Sequence, residues 1–521
     1  MIPVVRHIKS TKSDTMKIKK VRIENFRGYE TETTIEFGNL TVFVGQNDVG
    51  KSSILEALDI FFNENKGTIK IDKDDINKKC RINGNNEIKI SVVFEELPDS
   101  LTLDSTNPTT LQDEYLLQPD GTLEVVKRYP NAGKEKVFIK ANHPNNPDCA
   151  ELLLKKNSDL KKLLTDEIEC EDKTKNAVIR KAIWNHYSDD LQLEEIEIEL
   201  AKLDAKNTWE QLKNYMPLYS LFQSDRKNSD GDSEVQNPMK IAVQEILKDD
   251  TLKTSLDKVA EEVEKKLIEV STKTLEKLNE MNPEIADSLT PVIPSPDSLK
   301  WIDVFKSVSI SSDEDIPINK RGSGVKRLVL LNFFRAEAER RKSQENIPSI
   351  IYAIEEPETS QHPNHQRKLI EAFIELSKAD NTQVLMTTHS PSIVKLLDFE
   401  HLHLVRNNNG KEVIKVERGD LPYPSLNEVN YLAFGESNDE YHNELYGYIE
   451  SERLLSDYRN GKATMSYKRI RNGNIIEEQK VLSEFIRHQI HHPENTENPR
   501  FTNDQLQQSI GEMRQFIQDN N

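Results

Sequence analysis

The sequence predicts an α/β protein in which helices flank a mixed β-sheet, and three apolar stretches support that fold class. NLTVFVG runs into a glycine-rich loop at 45–52, SIIYAIEE ends at Glu355-Glu356, and TQVLMTTHS ends beside His389. Short apolar runs bounded by turn residues are typical of buried strands. A buried strand delivers the polar group at its end to the edge of the sheet, so we expect these three ends to form one site.

The first half of the chain alternates strand and helix patterns. KIKKVRIENF and TETTIEF alternate apolar and polar residues, as half-buried strands do. SSILEALDIFF, after the glycine-rich loop, has helical periodicity, and NEIKISVVFEE and GTLEVVKRYP continue as strands to about residue 140. These elements define a predicted first lobe at 16–148, after a leader at 1–15 that we expect to be disordered.

A change to charged, helical sequence defines a predicted insertion or dimerisation arm at 149–299. Its apolar stripe has three- and four-residue spacing, lasts a few heptads and ends at Asn282-Pro283, which favours a short helical hairpin over a long coiled coil. A second lobe is expected at 300–418, with the strand VFKSVSI and a hairpin turned at Asn409-Gly410. A polar, mainly helical C-terminal domain is expected at 419–521.

Composition places the chain among soluble, multi-domain proteins. Its 521 residues suffice for several domains of roughly 150 residues, and no apolar run approaches the roughly 20 residues of a membrane helix. The N-terminus lacks the apolar core of a secretion signal, so we expect a cytoplasmic protein without a membrane segment. Cys80, Cys149 and Cys170 are too few and too unevenly spaced for a disulfide framework or a zinc site. The net charge of −19 argues against broad binding of nucleic acid, although a local basic groove stays compatible with it.

The loop GQNDVGKS matches G-x-x-x-x-G-K-[ST], between an apolar strand and a helix. Glycines let backbone N–H groups wrap phosphates, and the helix N-terminus adds partial positive charge. Lys51 would reach the β- and γ-phosphates of ATP, and the Ser52 hydroxyl would bind Mg²⁺. The expected nucleotide-binding residues of this segment are Gly45, Asn47, Gly50, Lys51, Ser52 and Ser53.

Glu355 and Glu356 supply the two carboxylates that a hydrolytic ATP site needs. One carboxylate belongs near the metal and the other polarises the attacking water. We assign Glu355 to the Mg²⁺ side and Glu356 to the water. Five apolar residues precede the pair, which weakens the alternative of a solvated acidic strand end.

Two further segments complete the predicted site. A lone histidine after a buried strand is usually structural, but in a chain that also has the glycine-rich loop and the Glu355-Glu356 pair, His389 would sense the γ-phosphate. In RGSGVKRLVLLNFF, Ser323 can cap a helix and Gly324 allows close backbone approach, so that this helix start could bind the γ-phosphate held by another subunit. An ordinary capped helix is the alternative.

Together these motifs resemble the ABC-type ATPase heads of the SMC-like and OLD-like (overcoming lysogenisation defect) families, over about residues 16–145 and 300–416. EEPETSQHP is similar to the family's E-E-P-E-x-H-L-H-P and departs from it at Ser360 and Gln361. The resemblance implies an ABC/SMC-like P-loop head split by a helical insertion, with Arg27 of ENFRGYE facing nucleotide. It also implies a head-to-head dimer, or a higher oligomer, that sandwiches ATP between the phosphate loop of one copy and Ser323-Gly324 of the other.

Within these families, the sequence favours the ATPases of bacterial anti-phage systems such as Septu, PARIS and some retron modules. A transporter would need a membrane segment, and long-armed SMC-type DNA repair would need a longer insertion. The resemblance then implies that the ATPase controls a nuclease effector, which is either a partner protein or the chain's own tail, with DNA, RNA or tRNA as the target. The polar loop at 221–240 is a candidate partner or metal contact, or a plain surface loop. A DNA-binding ATPase of repair or chromosome maintenance is the alternative function.

The tail FIRHQIHHPENTENP holds the last candidate site. Arg487 and His492 satisfy R-x-x-x-x-H and resemble the motif of HEPN ribonucleases, in which the arginine stabilises developing charge and the histidine handles a proton. Five-residue spacing does not align two side chains on a straight helix, but Pro493 biases His492 out of helical geometry. Histidines are also favoured at helix C-termini by the helix dipole, so an interaction tail or structural tail is the alternative.

Overall fold

The structure is a computed structural model that describes residues 16–64, 67–104, 107–200, 205–223, 349–359, 362–408, 410–416, 425–471 and 474–520, with scattered positions between 247 and 334. The predicted leader, the strand VFKSVSI, the Ser323-Gly324 segment and the second half of the apolar stripe (Val263, Leu267 and Val270) lie outside these residues.

Strands and helices alternate along the described chain. The strands are β1 Lys17–Glu24, β2 Thr33–Glu36, β3 Leu40–Val44, β4 Glu87–Glu95, β5 Leu101–Asp104, β6 Asn107–Thr109, β7 Leu123–Pro130, β8 Lys136–Pro144, β9 Leu193–Glu199, β10 Leu218–Phe222, β11 Ile350–Glu355, β12 Thr382–Thr388, β13 Leu402–Asn407, β14 Lys411–Lys415, β15 Thr464–Arg471 and β16 Asn474–Val481. The helices are α1 Lys51–Asn63, α2 Lys78–Ile82, α3 Asn157–Lys162, α4 Asn176–His186, α5 Ala205–Leu212, α6 Pro363–Ser377, α7 Pro391–Val394, α8 Leu426–Phe434, α9 Asp439–Ser451, α10 Leu455–Arg459, α11 Leu482–His491 and α12 Asn503–Asn520.

Two six-stranded sheets form the head. The first has the order β2-β1-β4-β7-β8-β9 and is antiparallel throughout. The second has the order β10-β11-β12-β3-β13-β14, in which the first five strands are parallel and β14 is antiparallel to β13. The predicted strands around the glycine-rich loop, the carboxylate pair and His389 are confirmed, as is the β13–β14 hairpin.

Helix α1 lies between the two sheets. Its apolar side chains Ile54, Leu55 and Leu58 are fully buried in a core that includes residues of both sheets. On the antiparallel side, Lys127 Nζ donates a 2.8 Å hydrogen bond to the carbonyl of Phe61 at the end of α1. Helix α6 covers the opposite face of the parallel sheet and packs in a second core. Helix α1 is therefore held between the two sheets.

Gln383 ties the two sheets together. It lies in β12 with 3% of its surface exposed. Its side chain accepts a 2.8 Å hydrogen bond from the N–H of Ile18 and donates to the carbonyls of Ile18, at 2.9 Å, and Gly38, at 3.1 Å. A buried amide that meets three backbone groups fixes how β1 sits against the parallel sheet.

Residues 149–299 are not wholly helical. Within this range, β9 pairs with β8 at the edge of the antiparallel sheet, and β10 pairs with β11 at the edge of the parallel sheet. The prediction that this range is helical is wrong for LEEIEIE, which is an edge strand. Its first three residues are exposed, so the strand is charged like the helical sequence around it. The head therefore extends at least to Phe222, and a separate insertion could begin only after it.

The C-terminal domain has a core of its own, formed by α9 to α12 with Tyr467 and Val481 of the β15–β16 hairpin. The sequence prediction missed this antiparallel hairpin. Beyond Tyr467 both of its faces are exposed, including Ile470 and Ile475, so it carries no alternation of buried and exposed residues. Among the described residues, no helix is both long enough and apolar enough to cross a bilayer.

We predict that Gln383→Leu destabilises the head by about 3 kcal/mol, because one backbone N–H and two carbonyls lose their partner in the core. The measurement is urea unfolding followed by tryptophan fluorescence, since Trp184 and Trp209 lie in the core of the head. Gln479→Leu, at an exposed position of the hairpin, is the control and should shift the midpoint little. Equal midpoints for the two variants would show that Gln383 does not join the sheets.

Candidate functional site

The parallel sheet brings the predicted site residues to one edge. Strands β10, β11, β12 and β3 are consecutive neighbours, and their ends lie level: Phe222 pairs with Ile354, Glu355 with Thr387, and Thr388 with Val44. Parallel strands place their carboxyl ends at the same edge. The glycine-rich loop, His389, the Glu355-Glu356 pair and one further residue, Gln223, therefore follow four adjacent strand ends.

The glycines of the loop are required by its shape. A Cβ on Gly45 would lie 2.4 Å from the carbonyl oxygen of Val405 in the neighbouring strand β13. Gly50 has φ +105° and forms the N-cap of α1, and its carbonyl accepts a 3.1 Å hydrogen bond from the Tyr29 hydroxyl. Only glycine fits both conditions without strain.

Lys51 is the buried cation of the site. It is 4% exposed, and its ammonium donates hydrogen bonds of 2.8 Å to the carbonyls of both Gly45 and Gln46. Burial lowers its pKa, while the negative charges of Glu356, Glu358 and Asp48 act in the opposite direction. These hydrogen bonds keep the Lys51 ammonium next to the glycine-rich loop, where it could contact an anion bound by that loop.

The other predicted loop residues surround Lys51. Asn47 is exposed at the turn of the loop, while Ser52 and Ser53 are half-buried in the first turn of α1. The first-turn N–H groups of a helix attract anions. Phosphate binding by this loop stays a prediction of the sequence, and these positions of Lys51 and the first turn of α1 agree with it.

The carboxylate of Glu355 has the surroundings expected of a ligand to a divalent cation. Burial, and next the charge of Glu56, raise its pKa to about 8, although hydrogen bonds from Gln223 and Ser52 act against this shift. Its Oε1 is buried and has no hydrogen-bond partner. A buried carboxylate oxygen without a partner, next to a serine hydroxyl, offers the oxygen ligands that Mg²⁺ prefers.

Glu356 and His389 lie side by side at the open edge. His389 Nδ1 is 3.0 Å from Glu356 Oε1, within ion-pair distance but without the alignment of a hydrogen bond. The Glu356 side chain is 25% exposed and the His389 side chain is 39% exposed. Glu356 has φ +40°, an unfavourable conformation for a residue with a side chain, and its N–H donates to the carbonyl of Thr387 at 3.1 Å. The carboxylate and the imidazole can thus act on the same substrate atom.

The sequence analysis missed Gln223. It follows β10, and its Nε2 donates a 3.0 Å hydrogen bond to Glu56 while its amide also bonds to Glu355. The signal was the strand-like run LYSLF, which is as long as strand β3 and is followed directly by the polar Gln223. It fell inside the range that was predicted to be helical.

Arg27 has carboxylate partners in this structure. Its guanidinium pairs with Asp75 at 2.8 Å and with Glu56. Burial would lower the pKa of Arg27, but the charges and hydrogen bonds of both carboxylates raise it overall. Since Glu56 also accepts from Gln223, Arg27 is linked through Glu56 to the residues around Glu355. Direct contact between Arg27 and nucleotide stays a prediction.

The two tail residues do not share a contact. Arg487, in α11, pairs with Glu450 at 3.0 Å and lies over the ring of Tyr446 at 4.2 Å. His492, just after α11, lies 3.2 Å from Glu494. Helices α9 and α11 lie where the sequence predicts helices, and the β15–β16 hairpin adds two strands to this mainly helical domain.

Comparisons with known proteins place the head among ATPases. The AAA ATPase domain family matches residues 16–394. The OLD nuclease of Thermus scotoductus is 33% identical over 103 residues, which are 20% of this chain and 19% of that protein. The DNA double-strand break repair Rad50 ATPase of Sulfolobus acidocaldarius is 30% identical over 125 residues, 23% of this chain and 13% of that protein.

A further relative aligns along most of the chain. The retron Ec83 probable ATPase of Escherichia coli is 22% identical over 486 residues, which cover 87% of this chain and 81% of that protein. By contrast, the chain spans less than a fifth of the OLD nuclease and of the Rad50 ATPase.

We predict that Gly45→Ala abolishes nucleotide binding, because the new Cβ would meet the backbone carbonyl of Val405, which cannot move without shifting β13. Binding of a fluorescent ATP analogue measures the effect. Gly511→Ala is the control, since a Cβ there meets nothing within 4 Å. Wild-type affinity in the Gly45 variant would contradict this geometry of the loop.

Proposed function

Because this chain belongs to the AAA ATPase domain family, we propose that it binds ATP at the carboxyl edge of the parallel sheet and hydrolyses it with Mg²⁺. One observation carries the proposal: the phosphate-binding loop, two carboxylates and a histidine follow adjacent parallel strand ends that lie level with one another.

Each residue has a role that its surroundings support. Lys51 and the N–H groups of the loop and first turn bind the phosphates. Ser52 and Glu355 would hold Mg²⁺, which supplies neutralisation of the phosphate charge when bound. Glu356 takes a proton from the attacking water, and His389 contacts the γ-phosphate. The 3.0 Å separation of His389 Nδ1 and Glu356 Oε1 supports their joint action on one centre.

We further propose that two copies sandwich the nucleotide. Glu356 and His389 are partly exposed, so the edge of the sheet is open to a partner. Ser323 and Gly324, outside the described residues, would complete the site of the other copy, as the resemblance to SMC-like and OLD-like heads implies. Association driven by ATP would then be reversed by hydrolysis.

The proposed biological role is regulation of a nuclease effector in anti-phage defence, in the cytoplasm. Similarity to an OLD nuclease, and to a retron ATPase along most of the chain, supports this role. The effector would be a partner protein, or the chain's own tail through Arg487 and His492. Protection against phage that requires both the intact ATPase site and a neighbouring nuclease gene would identify a partner effector.

A DNA-binding ATPase of repair is the second candidate, because the Rad50 ATPase is 30% identical over 125 residues. The two functions differ in what stimulates hydrolysis. Stimulation by DNA ends, without any effect on phage infection, would favour repair.

We predict that Glu356→Gln lowers the rate of ATP hydrolysis by about 10²–10⁴-fold and retains ATP, because the amide cannot accept the proton of the attacking water. Phosphate release measures the rate, and light scattering measures the size of the ATP-bound assembly, which should increase.

Glu371→Gln, on the exposed side of α6, is the control for that substitution and should hydrolyse ATP at the wild-type rate. If Glu356→Gln turns over at that rate too, Glu356 is not the base.

A mixing experiment tests the shared site. Lys51→Ala and Ser323→Arg should each be inactive alone, while an equal mixture should recover about a quarter of wild-type activity. Half of the dimers would be mixed, and each mixed dimer would contain one intact site of two. A mixture as inactive as its components would refute the sandwich.

A further inference from the structure

Glu358 is a buried carboxylate in the turn that follows β11. It is 5% exposed. Its Oε1 accepts hydrogen bonds from the hydroxyl of Thr388, at 2.6 Å, and from the backbone N–H of His389, at 3.2 Å. One oxygen therefore holds the last residue of β12 and the first residue beyond it.

The turn that carries Glu358 is itself fixed. The side chain of Gln366 in α6 donates a 3.2 Å hydrogen bond to the Glu358 carbonyl, and the N–H of Thr359 donates to the carbonyl of Glu356 at 3.1 Å. The carboxylate therefore has little freedom to follow β12 if that strand end moves. It acts as an anchor between two adjacent strand ends.

Burying this carboxylate is costly. Burial raises the pKa of Glu358, although its hydrogen bonds act against the shift, and its Oε2 lies buried without a hydrogen-bond partner. A threonine hydroxyl could be satisfied at far lower cost by a neutral group. The need to hydrogen-bond Thr388 therefore does not explain why a carboxylate is buried here. The second group that Glu358 holds, the backbone N–H of His389, offers a reason, because the imidazole of His389 lies beside Glu356.

We propose that Glu358 is a positioning residue, which holds the His389 peptide so that the imidazole stays beside the Glu356 carboxylate. This inference rests on the proposed ATPase function. Glu358 itself would touch neither the water nor the nucleotide. Loss of the anchor would let the start of the His389 loop move, and a displacement of about 1 Å at a reacting group costs up to about 10²-fold in rate.

The experiment compares ATP hydrolysis and ATP affinity in single and double variants. Glu358→Ala should lower kcat by at least about tenfold and change the Kd for ATP by less than about threefold. Glu358→Gln keeps an acceptor oxygen and should restore kcat to within about threefold of wild type. In a His389→Ala background, Glu358→Ala should have no further effect on kcat, because the group that it positions is gone.

Glu124 provides a matched control in the antiparallel sheet. It is 3% exposed and accepts a 2.6 Å hydrogen bond from the hydroxyl of Ser91, the same type of bond that joins Glu358 to Thr388. Glu124→Ala should lower the melting temperature at least as much as Glu358→Ala, yet leave kcat unchanged.

The outcomes separate this inference from the proposed function. If the wild type does not hydrolyse ATP, the proposed function falls and the inference falls with it. If the wild type hydrolyses ATP and Glu358→Ala has the wild-type kcat, Glu358 is only a structural residue. The same conclusion follows if Glu358→Ala lowers kcat by the same factor with and without His389→Ala. If Glu358→Gln lowers kcat as much as Glu358→Ala does, Glu358 does not act by accepting hydrogen bonds from Thr388 and His389, and the inference is wrong.

Discussion

Parallel pairing of β10, β11, β12 and β3 is the constraint on which the rest of the structure depends. These strands are spread over residues 40–388 of the sequence, yet their carboxyl ends lie level within one sheet. Any shift in register by one residue would turn the side chains of a strand to the other face. Helix α1 stabilises this pairing by packing against both sheets, and Gln383 does so by hydrogen bonding to β1 of the antiparallel sheet.

The edge of the sheet carries more negative than positive charge. Glu355, Glu356 and Glu358 lie at this edge, and Glu356 and Glu358 act on Lys51, the one buried cation among the residues that the structure describes there. A triphosphate alone would add to this repulsion, whereas a divalent cation would offset it. Burial is the main reason that the pKa of Glu355 rises to about 8, and the negative charges of Glu56 and Glu356 act in the same direction.

The sequence predicted the strands whose ends carry chemistry, because a buried strand needs a continuous apolar run and a glycine loop needs glycines. It could not place Gln223, since β10 pairs with a strand about 130 residues later and lies in charged surroundings. Nor could it find the β15–β16 hairpin, whose exposed Ile470 and Ile475 break the usual pattern of burial. The partners of Arg27 and Glu358 depend on how separate segments meet, which local patterns do not encode.

Calorimetric titration with ATP in the presence of Mg²⁺ tests most directly whether these strand ends form one triphosphate site. The account predicts one ATP bound per chain in the wild type, and an affinity at least about tenfold weaker in Lys51→Ala, which loses a charge-assisted contact to phosphate. Absence of binding by the wild type, or equal affinity in the two proteins, would contradict it.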